Sequence, residues 1–83
     1  PENPQALFQL AHILYLKGNH DAAREYLKKV TRSSEPSAEV LWLYLRVERR
    51  LGDSSAENSL AAQLRRKYPD SPEYQELLRG SFE

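Results

Sequence analysis

Apolar residues return along this chain at intervals of three and four. Leu7, Leu10, Ala11 and Leu14 fall at i, i+3, i+4 and i+7, the stripe of an amphipathic helix. They predict a first helix from about Pro4 to Lys17, ended by Gly18 because glycine tolerates the left-handed turn after a helix. A second helix is expected from about Asp21 to Arg32, with Ala22, Ala23, Tyr26, Leu27 and Val30 on one side. Ser33 to Pro36 breaks the chain. The third helix, Ala38 to Leu51, carries Val40, Leu41, Tyr44, Leu45 and Val47, and Gly52 ends it. The fourth spans about Ser55 to Tyr68 with Ala56, Leu60, Ala61 and Leu64, and Ser54 and Glu57 have capping-box spacing at its start. After Pro69-Asp70, a short fifth helix is predicted over Pro72 to Arg79, its inner side Tyr74, Leu77 and Leu78.

These elements repeat. At an offset of 34 residues Leu7 meets Leu41, Phe8 meets Trp42, Leu10 meets Tyr44 and Ile13 meets Val47. Gly18 meets Gly52, Ala22 meets Ala56 and Val30 meets Leu64. Asn3, Ser37 and Ser71 share the register. Each has a side-chain oxygen that can accept from a first-turn amide. Pro4 and Pro72 follow two of them at the first helical position, where the missing N–H is harmless.

Helix pairs at this period resemble the tetratricopeptide repeat. The first unit supplies Leu7, Leu10, Ala11, Leu14, Gly18, Ala23, Leu27 and Val30; the second supplies Leu41, Tyr44, Leu45, Gly52, Ala61, Leu64 and Pro69. Leu45 is large where the pattern is small, and Glu48 and Glu57 stand where it is apolar or small. The expected architecture is an all-α solenoid of antiparallel helix pairs: repeat one over 4–36, repeat two over 37–70, and a capping helix over 71–80. Glu73, Gln75, Glu76 and Arg79 of the cap are expected to face water. Leu7, Phe8 and Leu10 would lie at an N-terminal edge without a cap.

Composition agrees. Among 83 residues, thirteen are Leu, eight are Ala and five are β-branched, which favours helix over strand. Without cysteine there is no disulfide and no thiolate zinc site. Twelve basic residues balance twelve acidic ones, so no net field draws nucleic acid or an acidic membrane. No apolar run approaches the ~20 residues of a membrane span. The chain also lacks methionine and is expected to be cut from a longer protein.

Catalytic chemistry has little to work with. His12 and His20 stand on different predicted helices, and the three glycines form no phosphate loop. The chain is expected to need no cofactor and no metal, and to have no activity as an enzyme. Basic clusters end the second, third and fourth helices, where cations interact favourably with the helix dipole.

Binding is better served. The side of each first-of-pair helix outside the pair core holds Gln5, Phe8, His12 and Tyr15 in unit one. In unit two it holds Glu39, Trp42, Arg46 and Arg49. Spacings of three and four keep each group on one face. Phe8, His12, Tyr15, Trp42, Arg46 and Arg49 are the candidate partner-binding residues, an aromatic and arginine mix typical of interface hot spots. Trp42 stands either open in this groove or packed between neighbouring helices.

Two stretches resemble one family more closely. They are Ala38-Glu-Val-Leu-Trp-Leu-Tyr-Leu-Arg-Val-Glu-Arg-Arg-Leu-Gly-Asp53 and Gln63-Leu-Arg-Arg-Lys-Tyr-Pro-Asp-Ser-Pro-Glu-Tyr-Gln-Glu-Leu-Leu-Arg-Gly80. Both look like the final repeat of the type IV pilus biogenesis and stability protein, the tetratricopeptide pilotin, with Tyr44 where that family is expected to have glycine. The resemblance implies a non-enzymatic scaffold on the periplasmic face of the outer membrane. It would assist assembly of the secretin ring and be held by a lipid anchor upstream of this fragment. The broader alternative is a tetratricopeptide peptide-binding module of another assembly.

Overall fold

A computed structural model describes residues 3–82. Five α-helices follow one another: α1 (Pro4–Leu16), α2 (His20–Ser33), α3 (Ala38–Leu51), α4 (Ser54–Lys67) and α5 (Pro72–Arg79). The fold is an all-α helical-repeat solenoid. α1 packs on α2 and α3 on α4, α2 joins the two pairs by packing on α3, and α5 lies across α3 and α4.

The helix starts follow the 34-residue register. Asn3, Ser37 and Ser71 each place a side-chain oxygen on a first-turn amide: of Gln5 at 2.8 Å, Val40 at 3.2 Å and Tyr74 at 3.1 Å. The second helix of each pair is capped in register too, Asn19 accepting from Ala22 and Asp53 from Ala56. Asp53 is therefore the cap of α4, and the expected Ser54–Glu57 capping box does not form. The cap sits one residue earlier, which leaves the Glu57 carboxylate to bind Arg49 at 2.9 Å instead.

Two apolar clusters form the core. The first gathers Leu7, Ala11, Tyr15, Ala23, Leu27 and Val30 of repeat one with Val40, Leu43 and Val47 of α3. The second joins Leu41, Trp42 and Leu45 to Leu60 and Leu64, with Tyr74, Leu77 and Phe82 packed against it. α3 thus serves both clusters. Val40, Leu43 and Val47 face back toward repeat one, while Leu41 and Leu45 face its own partner.

This division explains α5. The register equivalents of Val40 and Leu43 are Tyr74 and Leu77, which pack back onto the second cluster. The equivalents of Leu41 and Leu45 are Gln75 and Arg79, both exposed. α5 keeps the backward-facing apolar pair and replaces the forward-facing one by polar residues.

Three expected core positions move. Leu10 and Leu78 are exposed, and Leu14 is only half-buried. α1 meets α2 along the four-residue row Leu7, Ala11 and Tyr15, which turns Leu10 outward and Tyr15 inward. Leu78 is the register equivalent of Tyr44, which is half-buried in repeat two. Among the described residues nothing covers that position on α5, and Leu78 faces solvent. Leu43, absent from the expected stripe, is 1% exposed because α3 is covered on two sides.

Candidate functional site: the groove of α1, α3 and α5

The first helices of the two pairs and α5 share one side of the molecule. Phe8 and His12 from α1, Glu39, Trp42 and Arg46 from α3, and Glu73 from α5 line a cavity of about 180 Å³ there. Four of the six candidate residues therefore meet: Phe8, His12, Trp42 and Arg46. Phe8 stacks near His12, with ring centroids 6.3 Å apart.

Trp42 belongs to the wall and not to the open surface. It is 6% exposed. Part of its ring is covered by Phe82, whose centroid lies 5.8 Å away. Tyr15 is buried as well, at 7%. It contributes the α1 side of the core and carries its hydroxyl to the groove edge, where it donates to the Phe82 carbonyl at 3.4 Å. The expectation that Tyr15 lies open in an aromatic strip is corrected accordingly: only its polar tip reaches the groove. The inward turn of the row Leu7, Ala11, Tyr15 is the cause.

Arg46 ties these rings together. Its guanidinium lies 5.2 Å from the Tyr15 ring and 5.3 Å from the Trp42 ring, and its Nε donates to the Trp42 carbonyl at 3.4 Å. A cation held between two aromatic faces is fixed in place while keeping donors free. Arg49, one turn on, covers the Phe82 ring at 3.9 Å and pairs with Glu57. His12 and Arg49 are exposed, and Phe8 and Arg46 half-buried.

Phe82 is a residue at the groove edge that the repeat register does not reveal. It lies beyond α5, and its position follows from Gly80, which turns left-handed at φ 73°. A side chain there would be strained. The turn is closed by Ser81 N–H donating to the Glu76 carbonyl at 3.0 Å, and it carries the tail back over Trp42.

Elsewhere the chemistry is sparse. Among the described residues no three His, Cys, Asp or Glu side chains converge as metal ligands would. His20 packs on Tyr15, with centroids 5.3 Å apart, and its Nδ1 is buried with no hydrogen-bond partner. Among the described residues no helix is long and apolar enough to cross a membrane.

Residues 4–36 match the tetratricopeptide repeat family. The match covers repeat one, and that family is a non-catalytic protein-interaction module. No curated protein and no solved structure matches the chain.

Proposed function

We propose that the chain is a non-enzymatic scaffold that holds a protein partner in the groove of α1, α3 and α5, and that it serves type IV pilus biogenesis by supporting assembly of the outer-membrane secretin from the periplasmic side. The groove geometry carries the first half of this reading. Phe8, His12, Arg46 and Trp42 come from two helices and surround one cavity, and the helices are fixed by a shared core. A preformed surface loses little order on binding, which keeps the cost of association down. The pilus half rests on the resemblance of 38–53 and 63–80 to the pilotin family.

A second reading has an observation in its favour. The family match falls on residues 4–36, outside the stretches that carry the pilus resemblance. It supports a tetratricopeptide protein-binding module and nothing specific to the pilus, so a module of another assembly fits it equally.

The test is capture from bacterial envelope extract with the immobilised chain and with a Phe8→Ala, His12→Ala, Arg46→Ala variant. Trp42 and Tyr15 are left alone because they are core residues. Secretin retained by the native chain and lost by the variant supports the proposal. Secretin retained equally by both moves the interface to the opposite side. Specific capture of a different protein by the native chain favours the second reading.

A further inference from the structure

The groove already holds an aromatic side chain, and it is the chain's own. Phe82 sits against Trp42, the ring planes tilted by 31°, and the Arg49 guanidinium lies over its ring at 3.9 Å. Its main-chain carbonyl accepts from the Tyr15 hydroxyl. The seat thus reads a residue in two ways, by a ring that meets both an aromatic ring and a cation and by a backbone carbonyl beside it. An aliphatic side chain would bury area there without either the ring–ring or the cation–ring interaction.

The segment that supplies Phe82 follows the left-handed turn at Gly80. After α5 its backbone is tied by the Ser81 bond to Glu76 and by Phe82 N–H to the Gly80 carbonyl at 3.1 Å. Leaving the seat requires rotation about residues 80–82 and no unwinding of the helix. Beside the seat, sharing Trp42 and Arg46 as a wall, lies the cavity of about 180 Å³, which the tail does not line. A segment entering the seat could continue over that cavity.

We infer that the Trp42–Arg49 seat is a recognition site for an aromatic residue in an extended partner segment, and that Phe82 is an intramolecular placeholder which such a segment must displace. The inference rests on the groove being the binding face, and it adds the chemistry of the partner and a built-in competitor. A competitor on the same chain lowers apparent affinity by the fraction of molecules in which the seat is free. Removing it should tighten binding of an aromatic peptide by about fivefold, the scale of one aromatic contact.

Trp42 is the chain's one tryptophan, so the chain has a single indole NMR signal; that indole borders both the seat and the adjoining cavity, and the alanine peptide tells the two apart. The probe is the peptide acetyl-Arg-Gly-Ser-Phe-amide, which copies residues 79–82, with an analogue carrying alanine for phenylalanine. In Phe82→Ala the phenylalanine peptide should shift the indole signal at a half-saturating concentration about fivefold below that of the native chain, and the alanine peptide should leave it unmoved. Gly80→Ala strains the left-handed turn, its added Cβ meeting only the Phe82 ring at an ordinary contact of 3.8 Å and neither Trp42 nor Arg49, and should lower the half-saturating concentration in the same direction. Circular dichroism confirms that both variants stay folded. Equal half-saturation in native and variant chains overturns the placeholder. No indole shift in a folded Phe82→Ala overturns the seat, even where the Phe8, His12, Arg46 variant loses its partner and the groove reading stands. Conversely, a titrating indole with undiminished capture by that triple variant shows that the seat takes an aromatic residue but removes the groove reading, and with it the seat's role as a partner site.

Discussion

Arg24 and Glu48 clasp each other across the seam between the two helix pairs. The Arg24 Nε donates to one carboxylate oxygen at 2.9 Å and Nη2 to the other at 2.6 Å. Glu48 is 3% exposed while Arg24 keeps 26% of its side chain in contact with solvent. The Glu48 bond holds the guanidinium above its ordinary pKa. A two-pronged pair fixes direction as well as distance, so it sets how repeat two sits on repeat one.

Arg24→Ala strands a buried carboxylate without its partner and should lower unfolding free energy by about 3 kcal/mol. The double variant Arg24→Ala, Glu48→Leu removes both charges and fills the space with a side chain of similar size. It should recover most of that loss, since replacing a buried pair by packed apolar groups is often neutral. Urea unfolding of the native chain and both variants measures this. Equal losses in the single and double variants would show that the position matters for shape and not for charge.

Glu48 also acts on Tyr44. Burial first, and the nearby Glu48 carboxylate second, push the Tyr44 phenol above its ordinary pKa of about 10. The folded state therefore holds this proton more tightly than the unfolded state. Stability from this group is complete below pH about 10 and falls as pH rises past that value toward the folded pKa. Tyr44→Phe should flatten that part of the alkaline unfolding curve and leave the neutral part of the curve's slope unchanged. A variant that follows the native curve between pH 9 and 11 refutes the assignment.

Much of this architecture is legible in the residues, for identifiable reasons. An N-cap needs a side-chain oxygen at one position, so Asn3, Ser37 and Ser71 announce helix starts, and their bonds form as the spacing requires. Rotation of a helix about its axis is less legible. In α1 both Leu10 and Tyr15 can face inward by periodicity, and only the packing of α2 along Leu7, Ala11 and Tyr15 selects between them. Glu48 stands out in sequence as a charge at an apolar position, but its partner lies 24 residues away in no periodic relation to it. Phe82 follows a helix stop, and a stop signal says where a helix ends, not where the chain goes next.

Register equivalents with different surroundings separate local pattern from neighbour packing. Ile13 and Val47 are 34 positions apart, yet Ile13 is 48% exposed and Val47 is 0%. Val47 is covered by repeat one, whereas Ile13 has no described helix against it. Ile13→Glu should change stability by no more than about 0.5 kcal/mol. Val47→Glu buries an unpaired carboxylate and should cost more than about 4 kcal/mol or prevent folding. Thermal melts of the two variants decide it. A comparable loss from Ile13→Glu would mean that the exposed side of α1 is covered in solution.

Leu45 is large where the repeat pattern is small, and the structure supplies a reason. The equivalent residue in repeat one is Ala11; both are fully buried. Their companions on the second helices, in the same clusters, show the reverse sizes: Leu27 accompanies Ala11, and Ala61 accompanies Leu45. Each register pair therefore holds one leucine and one alanine, with the positions exchanged. Leu45→Ala opens a cavity and should cost about 2–5 kcal/mol. Ala61→Leu alone crowds a filled space and should cost about 1–3 kcal/mol. The double variant recreates the order found in repeat one, so its loss should be well below the sum of the singles. A double-mutant cycle on urea midpoints reads this coupling. Additive losses would show that the exchanged sizes are independent and that the departure at Leu45 is absorbed elsewhere in the second cluster.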